Sequence, residues 1–238
     1  LAISMEIGDK ARVATNYGNI GTVLQSLDEY HKAKEYHEKA LAINVEIGDR
    51  ARVAGNYGNL GYVLHSLGEY HEAKEYHEKA LAINMGIGDK VREAANYENL
   101  GTVLQSLDEY HKAKEYLQKA LAINMEFGDR AGVATNYRNL GIVLQSLDEY
   151  HKAKEYHKKA LAINVEIGDR AEVAANYGNI ATVLKSLGEY QKAKEYLEKA
   201  LAINMEIGDS AGVAVNYGNQ GAMLQLLGKY RKIGRAHV

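Results

Sequence analysis

A block of the form NYGNLGTVLQSLDEYHKAKEYHEKALAI returns every 40 residues along this 238-residue chain, and that fixed period restricts the fold more than any single residue does. Tyr17, Tyr30 and Tyr36 head three columns that recur at this spacing, and together they account for every tyrosine except Tyr62. One block of this size buries too little apolar surface to fold alone. Stability must come from stacking each unit on its neighbours, so length here counts repeats and not independent cores.

Within the first block Val13, Tyr17, Ile20, Leu24 and Leu27 lie three or four residues apart, the spacing of one stripe on an α-helix, here helix A. Asp9 is placed to cap its free N–H groups, and the helix is expected to stop around Ser26 to Asp28. The residue at position 28 is Asp28, Gly68, Asp108, Asp148, Gly188 or Gly228, types that tolerate a turn with positive φ. A second helix, B, is predicted from about Glu29 to Ile47. It buries Tyr30, Ala33, Tyr36, Ala40 and Ile43 and leaves Lys32, Glu35 and Lys39 in water, with Glu35 and Lys39 paired across one turn. Gly48 then serves as a left-handed C-cap and Asp49 caps the next helix A. Gly21, Ala33 and Ala40 stand where the two helices must approach closely, and the glycines of GNLG read as packing residues.

The order Tyr17, Asn19, Ile20, Gly21, Leu24, Asp28, Tyr30, Ala33, Ala40 resembles the tetratricopeptide repeat (TPR) over about residues 1 to 232. The resemblance implies an all-α, right-handed superhelix of antiparallel helix hairpins. The chain departs from the usual pattern in its period of 40 rather than 34 residues and in having no proline, Val45 or Met85 standing where one is usual. Longer B helices joined through an Ile-Gly-Asp turn resemble the Partner of Inscuteable and G-protein-signalling modulator family, and long arrays such as tetratricopeptide repeat protein 28. The former resemblance implies downstream GoLoco motifs that bind Gα subunits; none is present in this sequence.

The expected boundaries are the end of a preceding repeat at 1–8, repeats at 9–48, 49–88, 89–128, 129–168 and 169–208, a partial repeat at 209–232, and a non-native tail at 233–238. Leu1 to Ile7 aligns with Leu41 to Ile47, so the chain is expected to open inside a repeat. Ile233 falls where the buried alanine column requires Ala, and Ile233 to Val238 reads as the translation of a common sequencing-adapter oligonucleotide.

The formal charge of -2 comes from 29 basic and 31 acidic residues mixed within each repeat, which provides no field for a polyanion or an anionic membrane. Nucleic acid and membrane are therefore not expected partners. Zero cysteines remove thiolate sites and disulfides, and cytosol is the expected compartment. His31 and His37 point about 120° apart on one helix, so no metal site is expected, and Ser26 has no histidine and carboxylate in register to make it a nucleophile. The reading is a scaffold without catalytic residues or cofactors, holding an extended or helical segment of a protein partner in a concave groove. The alternatives are the ligand-sensing arm of a larger signalling NTPase and a structural, self-associating array.

Groove residues are expected in two forms. The first is a polar column: Asn19, Asn59, Asn99, Asn139, Asn179 and Asn219 occupy the position that lines the concave face in TPR proteins, and resemble the asparagine ladder of kinesin light chains. Each carboxamide offers donor and acceptor to a peptide backbone. The neighbouring column headed by Asn16 reads instead as holding the stack together. The second form is a departure from a column: Glu98 and Arg138, which can pair with each other or, for Arg138, meet an acidic ligand, and Tyr62, Ile142, His65 and Lys185 as specificity positions. The columns that would form a carboxylate clamp hold mostly Gly, Thr, Gln and Asn, so capture of a chaperone's acidic C-terminal tail is not expected.

Overall fold

The computed structural model describes residues 9–236 and divides the chain into two compact units, Leu1–Ile123 and Asn124–Val238. Among the described residues all regular structure is helical. The first unit contains α1 (Lys10–Ser26), α2 (Tyr30–Glu46), α3 (Arg50–Ser66), α4 (Tyr70–Ile87), α5 (Lys90–Ser106) and most of α6 (Tyr110–Glu126). The second contains α7 (Arg130–Ser146), α8 (Tyr150–Ile167), α9 (Arg170–Ser186), α10 (Tyr190–Ile207) and α11 (Ser210–Ala236).

Local chemistry sets these limits much as the repeat requires. Each helix A of the first five repeats begins after an aspartate whose carboxylate accepts from the backbone N–H three residues on, as in Asp9 from Arg12 (3.0 Å) and Asp169 from Glu172 (3.0 Å). The hairpin turn places Asp28, Gly68, Asp108, Asp148 and Gly188 at φ between 57° and 80°. Gly48 and its equivalents end helix B in the same left-handed region, Gly48 at φ 74°. Gly228 does not follow. It lies inside α11, which runs on to Ala236 without a hairpin turn. Ile233 and Ala236 stand at the positions of the Ala33 and Tyr36 columns that press helix B onto helix A in the preceding repeats. The tail expected at 233–238 falls partly on residues 237–238, outside the described residues.

In each unit, packing alternates between the hairpin and the next repeat. In the first, Leu64, Ala73 and Val103 form one cluster and Leu81, Tyr97, Leu100 and Ala120 another. In the second, Leu144, Ala153 and Val183 form one, and Ile180, Ala181, Leu184, Ala193, Leu197 and Met223 another. Ala33 and Ala40 are fully buried, as the close approach of the helices demands. Three expectations need correction. The Tyr30 and Tyr36 columns are mostly half-buried, because their hydroxyls reach solvent; Tyr30 donates to Asp28 Oδ1 at 2.7 Å. Lys39 does not pair with Glu35. Its ammonium sits 4.9 Å over the Tyr36 ring, an attraction to the ring face that a flexible lysine gains without desolvating a carboxylate. Only the second glycine of GNLG is a packing residue: a Cβ on Gly21 would stand 2.7 Å from the His37 ring, whereas one on Gly18 would meet nothing within 4 Å.

Candidate functional site

The helix-A faces of each unit carry a groove, and its floor and walls are repeat columns. Between α1 and α3 a cavity of about 260 Å³ is bordered by Thr15, Gly18, Asn19 and Thr22 on one side and by Arg52, Gly55 and Asn59 on the other, with Asn44 of α2 below. Between α3 and α5 the next cavity, about 300 Å³, is bordered by Gly58, Asn59, Tyr62, Arg92 and Asn99, with Asn84 of α4 below. A third, also about 300 Å³, brings Tyr62, His65 and Asn99 together. In the second unit a cavity of about 310 Å³ between α9 and α11 is bordered by Gly178, Asn179, Thr182, Asp209 and Asn219, and a small one beside it by Lys185, Asn219 and Met223.

The two asparagine columns separate cleanly. Asn19, Asn99 and Asn219 are exposed and Asn59, Asn139 and Asn179 half-buried, and among the described residues none of these side chains has a hydrogen-bond partner. The Asn16 column is buried in its later copies and turned inward. Asn96, Asn136, Asn176 and Asn216 each donate to the carbonyl four residues back, at 2.7 to 2.9 Å. A third column escaped the sequence reading: Asn44, Asn84, Asn124, Asn164 and Asn204 on helix B are all buried, and Asn44 donates to Asn56 Oδ1 at 2.6 Å. Its signal was an amide repeated in the last turn of all five complete B helices, Ser4 being the one other residue in the column.

The departures from the columns fall into two groups. Tyr62 is 52% exposed and His65 half-buried, its Nε2 3.0 Å from Ser106 Oγ and its ring against Tyr70; burial lowers the His65 pKa. Both face the groove. Lys185 is exposed at its edge. Arg138 is held internally instead: its Nη1 donates to both carboxylate oxygens of Glu172, at 2.6 and 2.9 Å. Its charge is thus met within the second unit one helix A further on. Glu98 and Ile142 are half-buried on α5 and α7, and neither borders the cavities just described.

Behind the groove lies the column headed by His37. His37, His77 and His157 are at most 2% exposed and pack against Gly21, Gly61 and Gly141. His37 Nε2 lies 2.9 Å from Gln25 Oε1 and His157 Nε2 2.8 Å from Gln145 Nε2, while Nδ1 of all three has no partner. Burial pushes each pKa down to about 4, with the Arg138 charge adding to the effect at His157. These histidines are core residues. Leu117 and Leu197 take their place in the third and fifth repeats.

Stacked helix hairpins with capped A helices, glycine-stopped B helices and a polar groove define an all-α repeat protein. A family model described as tetratricopeptide repeat matches residues 12–85, 92–164 and 172–233, and the chain belongs to that family. No curated protein matches it. Among solved structures it is similar to aspartyl phosphate phosphatase F from Bacillus subtilis, at 19% identity and a TM-score of 0.82, over 98% of this chain and 64% of that one. It is also similar to a signal transduction ATPase with numerous domains from Pyrococcus horikoshii that carries a tetratricopeptide repeat sensor, at 22% identity and a TM-score of 0.78, over 96% of this chain and 36% of that one. A Rap protein complexed with Competence and Sporulation Factor matches at 16% identity and a TM-score of 0.67, over 92% of this chain and 65% of that one. Similarity at these identities establishes a shared fold. No helix among the described residues is long and apolar enough to cross a membrane.

Proposed function

We propose that the chain is a non-catalytic scaffold that holds an extended or helical segment of another protein in the helix-A groove of each unit, through Asn19, Asn59 and Asn99 in the first and Asn139, Asn179 and Asn219 in the second, with Tyr62, His65 and Lys185 tuning specificity. Glu98, Arg138 and Ile142, which line none of the cavities described, are secondary positions in this reading. The observation that carries this reading is the pairing of an unbonded asparagine column with glycines that have no packing role. Gly18, Gly58, Gly178 and Gly218 sit inside helices with open space where a Cβ would be. Glycine there costs about 1 kcal/mol against alanine, a loss without structural return unless something must approach the helix backbone closely. A polypeptide main chain does so, and the carboxamides beside it match its N–H and C=O groups. The Rap protein's complex with Competence and Sporulation Factor is consistent with partner binding on this fold.

The repeat units 9–48 through 169–208 and a cytosolic setting belong to the same reading. Assignment as a G-protein-linked polarity adaptor rests on the Ile-Gly-Asp turn and period alone. A second reading, the sensing arm of a signalling NTPase, is favoured by the likeness to the Pyrococcus horikoshii ATPase, whose sensor is a tetratricopeptide repeat. The test is selection of displayed random 12-residue peptides on the chain, followed by Asn59→Ala with Asn99→Ala, two rungs that border one cavity of the first unit. Each lost hydrogen bond is worth about 1 kcal/mol, so capture of a peptide spanning both rungs should weaken by roughly 30-fold while melting is nearly unchanged. Collapse of melting with capture intact would make the ladder a structural element.

A further inference from the structure

We propose that the groove of the first unit takes an acidic polypeptide segment, its carboxylates received by Arg52 and Arg92; this rests on reading the groove as a polypeptide site. The third residue of helix A is Arg12, Arg52 and Arg92 in the first three repeats, then Gly132, Glu172 and Gly212. The arginine column therefore stops where the first unit ends. Arg52 and Arg92 both border the cavity between α1 and α3, and Arg92 also borders the one between α3 and α5. No acidic residue lines either cavity, and Glu98 lies outside both linings. The corresponding cavity of the second unit, between α9 and α11, has Gly212 and the Asp209 carboxylate in its lining and no arginine.

The guanidinium groups are only lightly engaged within the protein. Arg52 Nε lies 3.5 Å from Asp49 Oδ2 and Arg92 Nη1 3.3 Å from Asp89 Oδ2, and the two side chains are 48% and 54% exposed. Each aspartate uses its other oxygen for the N-cap, accepting from the backbone N–H of Arg52 or Arg92 at 3.0 Å. A guanidinium carries five donors in a planar fork, so most of each remains available for a bidentate contact with a carboxylate.

The floor points to a polypeptide rather than to any polyanion. Asn44 and Asn84 are 3% and 1% exposed, and the Oδ1 of each lacks a hydrogen-bond partner although the residue lines a cavity. A buried acceptor left without a donor is costly; these oxygens are shielded at the cavity floor, so a backbone N–H supplies the donor by entering the cavity and shifting the carboxamide toward it. A ligand with main-chain donors on one side and carboxylates on the other satisfies floor and wall together. A phosphodiester backbone offers charge without the donors.

The test is to select displayed random 12-residue peptides on the full chain and on its Arg52→Gln/Arg92→Gln variant, both checked for unchanged helicity. The expected result is a pool enriched in Asp and Glu on the native chain, with the enrichment gone on the variant. A peptide from the first pool should bind the variant roughly tenfold more weakly, and its affinity for the native chain should fall between 50 and 300 mM salt. A pool selected on the native chain with no acidic enrichment would overturn the charge assignment and leave the groove as a polypeptide site. Competition by the oligonucleotide dT12 as strong as by the peptide itself would overturn the assignment equally. Failure to select any pool would refute the polypeptide reading on which the assignment rests.

Discussion

The three buried histidines make stability depend on pH, and His65, half-buried with its pKa lowered by burial, adds to the loss in the same window. His37, His77 and His157 are shielded from water, lack a partner at Nδ1 and have pKa values lowered to about 4. In the unfolded chain an imidazole titrates near 6.5. Below that pH the unfolded state binds protons that the folded state refuses, so stability is lost as pH falls from about 6.5 and the loss levels off below about 4. At pH 5 the difference amounts to about 2 kcal/mol for each histidine and about 6 for the three, against a few tenths at pH 7. Glu109 and Glu189, whose pKa values are lowered by hydrogen bonds from Lys112 and Lys192, act only below the normal carboxylate range and leave this window clear. The array supplies its own control, because Leu117 and Leu197 fill the same column. Urea unfolding followed by circular dichroism at pH 7.5 and pH 5.0 should show a large drop in midpoint for the native chain. The drop should be much smaller for His37→Leu/His77→Leu/His157→Leu. Equal midpoints at the two pH values in the native chain, or an undiminished drop in the leucine variant, would refute the argument.

Three other outcomes follow from the same geometry. Gly58→Ala and Gly178→Ala should each raise helix stability by about 0.5 to 1 kcal/mol while weakening peptide capture, read by thermal melts and binding isotherms on the same samples. Gly141→Ala puts a Cβ 2.5 Å from the His157 ring and should cost about 1 to 3 kcal/mol by urea midpoint, and Gly101→Ala, whose Cβ would stand 2.6 Å from Leu117, should cost a similar amount. Asp169→Ala removes the cap on Glu172 N and should lower stability by about 1 kcal/mol, measured by urea midpoint.

Elements that depend on backbone chemistry were legible in the sequence. Asp9 and its equivalents as caps, Asp28 and Gly68 as positive-φ turns and Gly48 as a helix stop each follow from what one residue type can do locally. What could not be read was which side of a helix column meets another helix. His37 passes for a surface residue because histidine is polar. The clue was its exchange for Leu117 and Leu197, since a position that accepts leucine that freely is apolar inside. The Asn44 column failed for a related reason: its recurrence marks it, but only the packed neighbour shows that the Asn44 amide donates across helices to Asn56 while its own oxygen is buried without a partner. Sequence offered Arg138 a partner in its own column, Glu98, and did not single out Glu172, which departs from a different column one repeat later and receives the guanidinium.

Two glycines of one helix show where function can be sought in an array of near-copies. Gly21 and Gly18 are three residues apart, and composition treats them alike. Against Gly21 stands an imidazole and against Gly101 the Leu117 side chain, each within 3 Å of where a Cβ would be, so that glycine is explained by packing. Against Gly18 stands nothing, and its column changes freely to Glu98 and Arg138 without disturbing the hairpin. A residue that weakens its helix, touches no neighbour and can be replaced by a charge is not maintained by the fold. Where such glycines adjoin unbonded carboxamides, at Gly18, Gly58, Gly178 and Gly218, the proposed polypeptide ligand is the requirement they would answer. The break in the arginine column between Arg92 and Gly132 then says that this requirement differs between the first unit and the second.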